Sequence, residues 1–217
     1  RDIGATALII ASENGHLDVV ILLLSMEEID VNQARDNGAT ALIMGSQNSH
    51  LGVLKLLLGV EGINVNQAKN NGVTALFIAS QNGHLDVVKL LLGAEEINVN
   101  QARDNGATAL FMASQNGHSE VMKLLLGASG INVNQPMTNG ATPLIIASYL
   151  GHASCVSLLL KDPAINPALL FQERTALQLA QPSASVEAWE FLEDQINMEG
   201  RATVVQLLVS MPVHSRS

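Results

Sequence analysis

Apolar and polar positions change rhythm along this chain in a fixed order. In HLDVVKLLL, His84 to Leu92, the residues Val87, Val88, Leu91 and Leu92 fall at i, i+1, i+4 and i+5, the spacing of one broad apolar face on a helix. Upstream, ALFIASQN (Ala75 to Asn82) predicts a short helix stopped by Gly83. Downstream, Ile97-Asn98-Val99-Asn100 alternates apolar and polar, which predicts a short extended arm leading to the next turn. The turn itself is signalled by Asn-Gly, because both residues tolerate positive φ and Gly does so without steric cost. A Thr then stands where a helix N-cap is wanted, its hydroxyl able to satisfy an orphan backbone N–H. On the wet side of the second helix, Asp86 with Lys89 and Glu120 with Lys123 are spaced to pair at i, i+3.

This succession recurs. The phrase DNGATAL occupies residues 36–42 and again 104–110, with NNGVTAL at 70–76 and TNGATPL at 138–144. The threonines stand at Thr6, Thr40, Thr74, Thr108 and Thr142, each 34 residues from the last, and Thr175 follows after 33. A catalytic loop is needed once, whereas a phrase at constant spacing is a building unit. Residues 69–102 and 103–136 agree nearly letter for letter.

A turn plus two short helices at this period resembles the ankyrin repeat, whose motif is roughly T-P-L-H-x-A, then G-H-x-x-V-V-x-x-L-L and a V-N arm. Here the motif appears as Thr142-Pro143-Leu144, Gly83-His84, Val87-Val88, Leu91-Leu92 and Val99-Asn100. The motif's own His is apolar in five units (Ile9, Ile43, Phe77, Phe111, Ile145) and Gln178 in the sixth, and its Pro is Ala at Ala7, Ala41, Ala75, Ala109 and Ala176. Apolar residues at an inner helix position add burial, so neither departure threatens the fold. The resemblance implies an all-α solenoid with short β-turn arms between helix pairs. One array is expected over residues 1–217, with repeats at about 1–34, 35–68, 69–102, 103–136, 137–169 and 170–211, the last carrying a helical insertion at about 182–198.

Composition narrows the function. The aromatic content of 3% suits a thin core of Leu, Val, Ile and Ala, and a net charge of −9 with pI near 5.0 argues against nucleic acid, which asks for a basic stripe. The longest apolar run is about six residues, Val19 to Leu24, far short of a bilayer crossing. One cysteine and no Asn-x-Ser/Thr sequon fit a reducing, intracellular compartment. The chain opens at Arg1-Asp2-Ile3-Gly4, midway through a turn, and Ile21 stands where Lys55, Lys89 and Lys123 stand later. The expectation is a fragment of a longer protein.

No constellation for chemistry emerges. His16, His50, His84, His118 and His152 recur at the repeat period, but zinc ligands must lie about 2 Å from one ion and packed helices are roughly 8–10 Å apart. The resemblance gives these histidines a structural role, tying the start of each second helix to nearby backbone. Cys155 aligns with Val19, Val87 and Val121 on the buried face, where a thiol acts as a small hydrophobe. Glu190 and Asp194 belong to a helix with a solvated acidic face. The expectation is no enzyme, no metal and no cofactor.

What remains is recognition. In ankyrin-like arrays the binding surface is lined by turn tips and first helices, here Asp36, Asn37, Gln47 and Asn48, then Asn70, Asn71, Gln81 and Asn82, then Asp104, Asn105, Gln115 and Asn116. The fifth unit breaks that amide ladder with Tyr149-Leu150. The sixth inserts 16 residues between Thr175 and Gly200. There Val186, Trp189, Leu192 and Ile196 fall on one stripe and Phe191 points away from it, and residues 181–200 carry five acids and no Lys or Arg. The bland reading of this insertion is a C-terminal cap. The expected partner surface is Tyr149, Leu150 and Phe191, with Trp189 mainly packing, extended along Gln81, Asn82, Gln115 and Asn116. The chain is expected to be a monomer that binds a protein partner, one with a basic patch if the acidic insertion meets it. A narrower version is a translocated bacterial effector acting on a host protein in the host cytosol. The alternatives are a targeting module cut from a longer enzyme, or a passive spacer.

Overall fold

The computed structural model describes residues 4–169 and residue 209. By its contacts the chain divides into two compact units, Arg1–Asp104 and Asn105–Ser217. The first unit holds three helix pairs: α1 (Ala7–Glu13) with α2 (Leu17–Leu24), α3 (Ala41–Gln47) with α4 (Leu51–Leu58), and α5 (Ala75–Gln81) with α6 (Leu85–Leu92). In the second, α7 (Ala109–Gln115) pairs with α8 (Ser119–Leu126), and α9 (Pro143–Leu150) with α10 (Ala153–Leu159).

Each first helix begins as the sequence predicts. The hydroxyls of Thr6, Thr40, Thr74, Thr108 and Thr142 accept from the backbone N–H three residues on, at 3.1–3.3 Å, a cap that contributes about 1 kcal/mol per helix. Inside each unit, first helices stack on first helices and second on second: α1 on α3 on α5, α2 on α4 on α6, α7 on α9, α8 on α10. Each unit therefore has a strip-like core, with Val53, Leu54, Leu57, Val87, Val88 and Leu91 fully or almost fully buried in the first and Val121, Met122 and Leu125 in the second, each worth roughly 1.5–3 kcal/mol of apolar burial. The expected i, i+3 ion pair forms at Glu120–Lys123, 2.6 Å; Asp86 and Lys89 do not pair.

The turns are fixed by left-handed glycines. Gly72 (φ +82) sits where a Cβ would meet the Arg103 Cα at 2.8 Å, because neighbouring turns are laced by Asn70 N–H to Asn37 O (2.9 Å) and Asp104 N–H to Asn71 O (3.2 Å). In the second unit Thr138 N–H to Asn105 O (2.8 Å) does the same.

The alternating arm does not become a strand. Among the described residues there is one isolated bridge, Ala34 with Thr40. Instead the first polar residue of the arm folds back on its own backbone, as when Asn98 Oδ1 accepts from Asn100 N–H at 3.1 Å and Asp30 Oδ1 from Asn32 N–H at 2.9 Å. The second Asn reaches the next arm: Asn66 Oδ1 accepts from Asn98 N–H (2.8 Å) while its Nδ2 donates to Glu96 O (2.6 Å). Short polar side chains offer the backbone a local partner that competes with a ladder, and this amide lacing takes the place of a sheet.

Candidate interaction surface

The surface begins where the first helices end. The last carbonyls of a helix have no intrahelical partner, and the following repeat supplies one. Glu13 O accepts from both Asn48 Nδ2 (2.7 Å) and His50 Nε2 (3.0 Å). Gln47 O accepts from Asn82 Nδ2 (3.1 Å) and His84 Nε2 (3.0 Å), and Gln115 O from His152 Nε2 (2.9 Å). A carbonyl can only accept, so Nε2 carries the proton in each ring. His50, His84 and His152 are thus clamps between repeats.

This changes the candidate list. Asn82 is a clamp before it is a recognition residue, and Asn116 and Gln81 are engaged as well. Tyr149 and Leu150, expected on a partner surface, are core: their exposures are 1% and 0%. Leu150 holds the place of Asn48 and Asn82, the one that reaches toward the preceding repeat, so an apolar side chain there is buried rather than offered to solvent. Gln115 is half-buried. Phe191 and Trp189, with Glu190, Asp194 and the whole insertion at about 182–198, lie outside the described residues.

What stays available is the turn face. Asp36, Asn37, Asn70, Asn71 and Asp104 are exposed, although Asn37 and Asn71 already spend their Oδ1 atoms on the N–H of Ala39 (3.0 Å) and Val73 (3.3 Å). Beneath these tips stand Arg35, Lys69 and Arg103, one per repeat. Arg35 has a side chain only 9% exposed and forms an ion pair with Glu13, the last residue of α1. Lys69 has only Gln47 Oε1, at 3.5 Å, the outer limit of a hydrogen bond. Burial first, then the neighbouring Arg35 charge, holds the Lys69 ammonium below its usual pKa, with Glu13 acting in the opposite sense. The acids Glu27, Glu28, Glu61, Glu95 and Glu96 lie in the loops after the second helices. These loop acids therefore occupy a different stretch of the repeat from Arg35, Lys69 and Arg103, while Asp36 and Asp104 adjoin the two arginines.

Cys155 is 1% exposed and burial pushes its thiol up to about 11, the reverse of what an attacking thiolate needs. Burial also lowers the His152 pKa, opposed by its bond to the Gln115 carbonyl and helped by His118. Stability that His152 contributes above the ordinary imidazole pKa of about 6.5 is accordingly lost as pH falls through the window below it. Among the described residues no three His, Cys, Asp or Glu side chains gather as a metal site. A groove between α4 and α6 is lined by Leu51, Lys55, Leu58, Asp86, Lys89 and Leu90.

Comparison with known proteins settles the family. The family described as Ankyrin repeats (3 copies) matches residues 1–69 and 53–137, and Ankyrin repeat matches residues 139–169. The chain belongs to the ankyrin repeat family. Its all-α, repeat-built architecture is that of an ankyrin-like solenoid, and ankyrin repeats mediate protein–protein interaction. No curated protein matches this ankyrin chain. No helix among the described residues is long and apolar enough to cross a membrane.

Proposed function

We propose that this ankyrin array is a protein-binding module that engages its partner through the turn tips at residues 36, 70 and 104 and the first-helix ends of repeats 2 and 3, without performing chemistry. The observation that carries the reading is the division of labour within the repeat. The backbone groups of the turns are already satisfied by their neighbours, Asn70 N–H by Asn37 O, Asp104 N–H by Asn71 O and Asp36 O by Asn70 Nδ2 (2.8 Å), so the exposed side chains of Asp36 and Asp104 are surplus to the scaffold. The Thr cap, turn-glycine and His positions are repeated; residues 36, 70 and 104 vary between Asp and Asn. The insertion with Trp189 and Phe191 is a second candidate contact, carried by composition alone, and its five acids suit a basic patch on that part of a partner.

The test is capture from cell extract with two variant sets that fold equally by circular dichroism. One carries Asp36→Ala, Gln47→Ala, Gln81→Ala and Asp104→Ala; the other carries Lys55→Ala, Asp86→Ala and Lys89→Ala on the second helices. The turn-face set should lose the partner and the second-helix set retain it. The opposite pattern would move the site to the second helices, and capture of nothing by the unaltered chain would make it a passive spacer.

A further inference from the structure

We propose that Lys69 and Arg103, at the starts of repeats 3 and 4, form a carboxylate-binding site on the turn face, which takes an acidic peptide segment of the partner. The inference deepens the turn-face reading and rests on it. The molecule itself shows how a carboxylate is received at this position. In the first step of the stack, Arg35 at the start of one turn pairs with Glu13, the residue that ends the preceding first helix. One repeat on, the cation is Lys69 and the helix-ending residue is Gln47; one further on they are Arg103 and Gln81. The cation is kept while its acid is replaced by a neutral amide.

Lys69 and Arg103 consequently form no ion pair among the described residues, and Arg103 makes no side-chain hydrogen bond there. Both are half-buried. A half-buried cation without a counter-charge is costly, and the lowered Lys69 pKa, set by burial and by the Arg35 charge, reports that cost. A partner carboxylate would relieve it in the way Glu13 does for Arg35. Asp36 and Asp104 lie at the turn tips beside this row yet pair with none of its three cations. The Gln47 amide, already within reach of Lys69, adds a neutral donor suited to the second oxygen of a bound carboxylate.

Spacing narrows the ligand further. Cations on successive stacked repeats are roughly 8–10 Å apart, the distance between packed helices. A polyproline-II segment has three residues per turn and advances about 9 Å over them. Acidic residues at every third position of such a segment would therefore meet Lys69 and Arg103 from one side, with no need for the peptide to fold.

The test uses a dye-labelled peptide of twelve residues with Glu at every third position, and the same peptide with Gln in those places, titrated against the full chain by fluorescence anisotropy. The Glu peptide should bind, more weakly as salt rises, and the Gln peptide should not. Lys69→Gln with Arg103→Gln should weaken binding about tenfold. Gln47→Glu with Gln81→Glu, which repeats the Glu13 arrangement, should weaken it comparably while both cations stay in place. Lys55→Gln with Lys89→Gln, on the second helices, should leave it unchanged. Equal loss in that last pair would mean diffuse attraction to positive charge and would overturn the site, as would absence of binding by the unaltered chain. Neither result bears on the capture experiment with the turn-face alanine set, so failure of the carboxylate site and failure of the turn-face reading are separate findings.

Discussion

Repeats 2 and 3, residues 35–68 and 69–102, share a scaffold and differ in what fills and faces it. Both have the Thr cap, the left-handed turn glycine (Gly38, Gly72) and the Asn and His clamp to the preceding first helix. Inside, repeat 2 sets Gly45 against Leu54, where repeat 3 has Ala79 and Val88. A Cβ on Gly45 would approach Leu54 Cδ2 to 3.1 Å, so one methyl has moved from the first helix to the second. At the helix–helix corner Ser49 holds φ 59, where repeat 3 has Gly83 at φ 72. At the turn face, repeat 2 begins with a paired Arg35 and repeat 3 with an unpaired Lys69. The lesson is that the Thr cap and the turn glycine do not drift, the helix–helix corner and the core do, the core in compensating pairs, and charge changes at the turn face.

The comparison breaks hardest at the turn. Gly72→Val forces a β-branched residue into positive φ with its Cβ 2.8 Å from the Arg103 Cα and 3.1 Å from Ala102 O, and should cost about 3 kcal/mol or more in urea unfolding. Gly62→Ala is the control: it has φ +78 but nothing within 4 Å of its Cβ, so it should cost only the conformational term, about 1–2 kcal/mol.

Next comes the clamp. Asn82→Ala leaves Gln47 O with the His84 bond alone, and should cost about 1 kcal/mol; with His84→Ala added, the loss should exceed the sum of the two single changes, since the second orphans the carbonyl. Additive losses in a double-mutant cycle would show that Gln47 O finds another donor.

Smaller effects sharpen the interior difference. Ser49→Gly should stabilise repeat 2 by about 1 kcal/mol by removing a left-handed non-glycine residue, raising the melting temperature. Gly45→Ala alone sets a gain in helix propensity of about 1 kcal/mol against the Leu54 contact. Combined with Leu54→Val it copies repeat 3, and the pair should be more stable than the average of its single variants.

Much of this was legible in the chain. The period, the Thr caps and the glycine turns are local patterns, and the structure places them where the periodicity does. The clamps were not, because Asn82 and its acceptor Gln47 O lie 35 residues apart and only stacking joins them. A signal existed: Asn and His two apart in successive units. Tyr149 and Leu150 were misplaced because a break in a repeat pattern reads equally as a new surface or a new core contact, and burial alone separates the two. The extended arms failed for a different reason, since alternation cannot reveal that asparagines will bond their own backbone. The matched loss of Glu at Gln47 and Gln81 became meaningful only once Glu13 was seen paired with Arg35.

Hydrogen exchange on the array with its captured partner bound tests the central claim most directly, because it reads the contact surface along the backbone. Protection should appear at the turns, residues 36–38, 70–72 and 104–106, and at the ends of α3 and α5, with α4 and α6 exchanging as in the free chain. Protection confined to Leu51–Leu58 and Leu85–Leu92, with the turns unchanged, would contradict the account.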